Sequence, residues 1–228
     1  KSTIGLMLAT MIAKILGFLR ELVLASAYGA SAYSDAYLIA LNIPTVIFAA
    51  IGQAIVTTFI PLCYECSQVS GDESAKKFTN NVLNILSIIS IVLSILGFIF
   101  TEQVVKLFAM GFKGETLIIA IYFTKILLLG LIFNALSNIM TAILQVENNF
   151  VIPGLNTLPY NIIIIISIIL SVRYGIFVMI WGTLIGIATT FLFQLPFVIK
   201  KGYKYKLYIN IKDKYIKKMF VLLLPVFI

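Results

Sequence analysis

Ile152–Val172 reads IPGLNTLPYNIIIIISIILSV, with five consecutive isoleucines from Ile162 to Ile166. In water so much β-branching would favour a strand. At this length and in a bilayer the run reads as a helix, which satisfies every backbone group within one segment. The rest of the chain decides for the bilayer. Of its 228 residues 61% are hydrophobic and only 11% charged, against about 45–50% and about 25% in soluble domains. Disorder is excluded as well, because the chain has too much apolar surface to leave in water.

Five further stretches flank this one: Ser2–Ala27, Asp35–Leu62, Val82–Phe100, Leu117–Leu144 and Ile176–Ile199. A span needs about 20 residues, so the expectation is an all-α polytopic membrane protein with a six-helix transmembrane bundle. The prolines Pro44 and Pro159 are expected to interrupt the second and fifth spans. A seventh apolar run starts near Tyr215 and is too short for a span by residue 228. The first residue is Lys1. Both features point to part of a longer protein, with residues 1–214 as one six-helix lobe and 215–228 as the start of a seventh span.

Orientation follows from lysine and arginine placement. The loop after the sixth span, Lys200 to Lys218, holds eight lysines opposed only by Asp213, while the first turnaround, Tyr28 to Ser34, has none. With six helices, Lys1, Lys76, Lys77 and the lysine-rich loop share one side, so the N-terminus is expected in the cytoplasm. The net charge of +8 comes mainly from this loop. Its expected partner is anionic membrane lipid rather than nucleic acid. Glu102–Phe108, a short amphipathic stretch, is expected along the outer interface.

Charges inside spans are the informative ones, since each costs about 2.5–3.5 kcal/mol on insertion scales. Lys14, Arg20 and Glu21 fall within two turns of one helix, and Asp35 begins the next. Lys14 and Glu21 lie on nearly one face, about 10.5 Å apart along the axis, with Gly17 between them leaving space. Two roles fit: an ion-pair network clamping the first hairpin, or a cavity in which Lys14 and Arg20 attract an anionic substrate while Asp35 and Glu21 position them. The cavity is the favoured expectation, because an apolar clamp would serve at lower cost. Lys125 fits both snorkelling and cavity lining. Asn134 and Asn138 share a face. With Asn156 and Asn161, they fit hydrogen bonding between helices better than substrate contact, though Asn161 joins the candidate set below.

Other chemistry is sparse. There is no histidine, so His-based acid–base catalysis and His metal sites are excluded. Cys63 and Cys66 have CxxC spacing but neither a thioredoxin-type context nor further ligands, and read as free thiols. No Walker A loop, dinucleotide fingerprint or HExxH motif occurs, and no nucleophile–base pair is present. No enzyme activity, metal or cofactor is expected.

Ala13–Glu21, AKILGFLRE, resembles the (S)RxLGFxRD segment of the MurJ/MviN family. Tyr28-Gly29-Ala30 resembles that family's FGA turn. Ser34–Tyr37 followed by Asn42-Ile43-Pro44 resembles its DAF…(I/L)PN segment, and Thr58–Pro61 its AFVP. Ala142–Gln145 and Asn149–Pro153, with Asn161, are similar to its fourth-to-fifth span connection. The likeness extends from about Ser2 to Lys218. It implies a flippase for lipid II, the lipid-linked peptidoglycan precursor, in the bacterial plasma membrane. The family has fourteen spans in two six-helix lobes plus two helices, in the superfamily of multidrug and oligosaccharide exporters. This chain would be the N-terminal lobe, and its partner the C-terminal lobe. Arg20 matches a family arginine implicated in substrate binding, and Asp35 matches an important acidic residue. Lys14 replaces an arginine. Where the family often has arginines shortly after the proline of span two, Phe48 and Ala49 stand here. The competing readings are an exporter of another lipid-linked glycan or of drugs, and a non-transporting scaffold for cell-wall synthesis.

Overall fold

A computed structural model describes residues 2–223; Lys1 and residues 224–228, the end of the last apolar run, lie outside it. Ten helices follow one another among the described residues, with no strand. They are α1 (Ser2–Tyr28), α2 (Ala32–Ser70), α3 (Asp72–Ile99), α4 (Thr101–Phe108), α5 (Gly114–Leu128), α6 (Gly130–Val146), α7 (Val151–Leu155), α8 (Thr157–Tyr174), α9 (Phe177–Lys200) and α10 (Lys214–Leu223). By length and composition α3, α7 with α8, and α9 can each cross a membrane. The pair α5–α6, bent by 41°, adds a fourth crossing if it is one span. The chain is an all-α membrane protein.

The isoleucine run shows why a helix forms. Ile164 and Ile168 are fully buried, while Ile162, Ile166 and Ile169 are exposed. One face packs into the bundle, and the other is left to an apolar surround. Two clusters form the interior. At one end, Leu24, Tyr37, Phe123, Ile164 and Met179 pack together. At the other, Phe59, Phe78, Ile143, Val198 and Ile216 do so.

The interruptions follow expectation in the fifth stretch, which breaks within one turn before Pro159, and differ from it in the second. Helix α2 runs without a break through Pro44 and Pro61. Pro44 removes the donor that would reach the Ala40 carbonyl; both residues are buried, and Thr45 Oγ1 adds a bond to the neighbouring Leu41 carbonyl at 2.8 Å. Packing holds the helix together there. The sharp bend falls instead between α5 and α6, where no proline stands. There the Leu128 carbonyl accepts from Ser94 Oγ at 2.7 Å, and Gly130 lies so close to Ile187 that a Cβ would come within 3.0 Å. In the fifth stretch the break comes at Asn156, and Pro159 occupies the first turn of α8, where a missing donor costs little.

The two ends are organised differently. At one, the Tyr28 hydroxyl meets Ser171 Oγ at 2.6 Å, joining α1 to α8. At the other, the segment after α9 is pinned to α3 by three buried asparagines. Asn81 exchanges two hydrogen bonds with the backbone of Asn210, at 2.8 and 2.9 Å. Asn80 Oδ1 accepts from the Lys206 amide at 2.9 Å. Asn84 Nδ2 donates to the Lys206 carbonyl at 3.0 Å, and its Oδ1 accepts from the Tyr205 hydroxyl at 2.7 Å. The lysine-rich loop is thus docked along a helix.

Candidate functional site

Arg20 is the centre of the candidate site. It sits in the last third of α1, against the start of α8, with its side chain one-fifth exposed. Nη2 donates to Glu21 Oε1 at 2.6 Å. Nη1 donates to the Tyr160 hydroxyl and to Asn161 Oδ1, both at 3.4 Å. The guanidinium also lies 5.8 Å from the centroid of the Tyr160 ring, within cation–π range. Asn161 is buried, and its Nδ2 donates to the Thr157 carbonyl at 3.0 Å. Its donor end is therefore taken, and its acceptor end is turned to Arg20. One α8 turn, Thr157–Asn161, holds one side of the guanidinium.

Successive helical residues do not normally face one another. Arg20 and Glu21 meet because both side chains are long enough to reach sideways. Half of Glu21 is exposed, so the pair adds little stability. Its effect is to orient the guanidinium. Gly17 has nothing within 4 Å of where a Cβ would be, so the surface one turn before Arg20 is open.

Three candidates stand apart from this group. Lys14 is exposed and forms no ion pair among the described residues. Asp35 is exposed in the first turn of α2 and does not pair with Arg20, so the clamp of Arg20, Glu21 and Asp35 is not formed. Its place suits an acid beside a helix N-terminus, in a turn closed by the capping box of Ser31 and Ser34. Lys125 lies at the end of α5 with Nζ 5.0 Å from the centroid of the Phe98 ring on α3, and is not brought to Arg20. Phe48 is buried with Leu128, Leu131 and Ala135. Its position faces the α5–α6 bend rather than an open cavity.

Behind Tyr160 lies a cavity of about 190 Å³ lined by Pro44, Thr45, Asn134, Thr157, Tyr160 and Thr190 among others. Asn138, one turn after Asn134, packs against Gly52 of α2 so tightly that a Cβ there would collide with its amide. Asn134 thus belongs to a cavity and Asn138 to a helix contact. Tyr160 was not a candidate by sequence, since an aromatic residue in an apolar run is ordinary. Gln194 was also not signalled. Fully buried in α9, it donates to Ser137 Oγ at 2.9 Å and accepts from Thr141 Oγ1 at 3.0 Å, tying α9 to α6.

Cys63 and Cys66 are both buried and free. Burial pushes the Cys63 thiol up to about 11, the opposite of an activated thiolate. No group of potential metal ligands occurs among the described residues.

A family model described as lipid II flippase MurJ matches residues 24–228. The chain is 35% identical over 206 residues to a lipid II flippase MurJ of Thermosipho africanus, covering 89% of this chain and 42% of that protein. It is 32% identical over 206 residues to a probable lipid II flippase MurJ of Buchnera aphidicola, covering 88% and 40%. A solved structure of lipid II flippase MurJ in an inward closed conformation superposes with a TM-score of 0.80 at 34% identity, covering 98% of this chain and 47% of that one. The chain thus spans about two fifths of the length of the curated relatives it matches.

Proposed function

The chain belongs to the MurJ family of lipid II flippases, and from that premise we propose that it forms a substrate-gathering lobe of a transporter that moves lipid II across the bacterial plasma membrane. In this reading residues 1–214 are a six-span lobe with its N-terminus in the cytoplasm. Residues 215–228 open a further helix leading toward a second lobe. The greater length of the relatives leaves room for such a lobe. Transport is by alternating access: the headgroup enters between the lobes on the cytoplasmic side, the lobes rock, and the lipid tail stays in the bilayer. No covalent step is needed.

The observation that carries the reading is the posture of Arg20. A guanidinium has five N–H donors in a rigid fork that matches phosphate. Glu21, Tyr160 and Asn161 engage one side of it. The N–H groups not directed at those acceptors meet the pyrophosphate of lipid II. Holding the fork in place before substrate arrives lowers the ordering cost of binding. Gly17 leaves the approach open, Lys14 adds a second, exposed positive charge on the same helix, and Asp35 marks the rim at the start of α2. Lys125, paired with Phe98, has no part in this set.

The test is lipid II translocation by the full-length protein in proteoliposomes. Hydrogen bonds to charged groups are worth about 1.5–3 kcal/mol. Arg20→Ala is therefore expected to lower transport at limiting substrate by about 10- to 100-fold with membrane insertion intact, and Arg20→Lys to retain part of it. Transport by Arg20→Ala at the unmodified rate would overturn the assignment.

A further inference from the structure

Two cavities away from Arg20 adjoin where the segment after α9 docks on α3. The first, about 430 Å³, is lined by Lys76, Lys77, Lys204 and Lys206, with Glu73, Asn80 and Gly202. Four cations face one carboxylate, and Glu73 reaches only Lys76, at 3.4 Å. The second, about 310 Å³, is mainly apolar, with Leu83, Ile143, Leu195, Val198 and Ile199 in its wall. Asn80 and Lys204 line both, so a cationic cleft opens directly onto an apolar groove.

The lysines are held together rather than merely near one another. Lys76 and Lys77 come from the first turns of α3. Lys204 and Lys206 are two apart on the segment after α9, and both line the cleft. The segment is fixed by Asn80, which donates to the Lys204 carbonyl at 3.1 Å and accepts from the Lys206 amide at 2.9 Å. Gathering like charges this way is unfavourable on its own, and an anion offsets it. The groove beside it takes a hydrocarbon chain. A ligand with a negative headgroup joined to an acyl chain fits both parts.

We propose that this composite site binds an anionic phospholipid of the surrounding bilayer, its phosphate among Lys76, Lys77, Lys204 and Lys206 and one acyl chain along Leu83, Leu195 and Ile199. The site requires only that the chain lie in a membrane, so it stands or falls separately from the lipid II reading. Lipid bound here would anchor the docked loop to α3 from the leaflet on that side.

Native mass spectrometry of the full-length protein in non-ionic micelles, titrated with palmitoyl-oleoyl phosphatidylglycerol or phosphatidylcholine, tests it. Each lysine near the headgroup is worth about 1 kcal/mol, or about fivefold. Lys204→Gln with Lys206→Gln is expected to weaken phosphatidylglycerol binding by about 25-fold. Lys212→Gln with Lys217→Gln, which removes the same charge from the same region outside the cleft, is expected to change it little. Ile199→Ser, at an exposed groove position, is expected to weaken it without altering the preference over phosphatidylcholine. Equal losses from the two lysine pairs would overturn the proposal in favour of diffuse attraction. So would equal binding of the two lipids, or displacement of phosphatidylglycerol by equimolar inorganic phosphate, which would show a phosphate site with no role for the groove.

Discussion

A guanidinium four-fifths buried in an apolar bundle needs acceptors, and Arg20 finds one acidic and two neutral ones. The balance matters for an anion site. One carboxylate at 2.6 Å orients the fork without a second competing for its remaining donors. Asn161→Asp tests this directly. The new carboxylate would sit where the Asn161 amide now accepts from Arg20, strengthening the internal pair and cancelling the positive field toward substrate. Lipid II transport is expected to fall about as far as with Arg20→Ala, while the detergent melting temperature holds or rises. Full transport by Asn161→Asp would show that Arg20 does not meet the substrate as a cation. Arg20 and Glu21 were legible in the sequence because charge in a span is costly enough to demand a reason. Tyr160 was not, because only the packing of α1 on α8 turns an ordinary aromatic residue into a hydrogen-bond and cation–π partner. Asp35 was legible as a charge but not as one without an ion-pair partner among the described residues. Its exposure depends on how α2 starts, through the Ser31–Ser34 cap.

At the scale of elements, hydropathy located the helices, while the proline rule found the break before Pro159 but not the continuity of α2 through Pro44 or the bend between α5 and α6. A proline weakens a helix without ending it where tertiary packing holds the flanking turns, and Ile43 and Pro44 are both buried in a continuous α2. Between α5 and α6 the bend arises from tertiary contact, with Ser94 on the Leu128 carbonyl and Gly130 against Ile187. No local pattern announces it. A different signal was legible in principle. Gly182 and Gly186 are four apart on α9, the small-xxx-small spacing that lets membrane helices approach closely. A Cβ at Gly182 would overlap the Ser167 side chain of α8, and one at Gly186 would lie 3.2 Å from the Tyr160 carbonyl. Gly182→Ala should therefore force α8 and α9 apart despite alanine's better helix propensity. A loss of about 1–3 kcal/mol is expected by denaturant unfolding in micelles. Ser167→Gly in the same chain should restore most of it by vacating the clashing volume. Because α8 carries Tyr160 and Asn161, the single variant should also weaken transport. A Gly182→Ala protein as stable as the unmodified one would mean that this helix contact is not tight.

For the whole molecule, the sidedness of charge is the strongest global signal. Following the helices back and forth places Lys76, Lys77 and the eight lysines from Lys200 to Lys218 at one end of the bundle. Contacts tie that end together. Lys201 pairs with Glu147 at 3.5 Å, Lys218 with Glu65 at 2.6 Å, and the Tyr64 hydroxyl with the Val146 carbonyl at 2.7 Å. The opposite end, with Tyr28 and Ser171 in contact, has Lys106, Lys113 and Arg173, the first two near Glu102 and Glu115. Lysine and arginine in short loops are retained on the cytoplasmic side during insertion, so the proposed orientation, with the docked loop inside, is the one this asymmetry favours. Single cysteines placed in a Cys63→Ala, Cys66→Ala background decide it. A cysteine replacing Ala30, exposed in the turn between α1 and α2, is expected to react with a membrane-impermeant maleimide on intact spheroplasts. One replacing Lys212, exposed in the lysine-rich segment, should react only after permeabilisation. Labelling at both positions from one side would contradict an odd number of crossings between them, and the reverse pattern would turn the lobe over. In an inverted lobe the lysine-rich end would face away from the cytoplasm, and the proposed entry of the headgroup from the cytoplasmic side would fail with it.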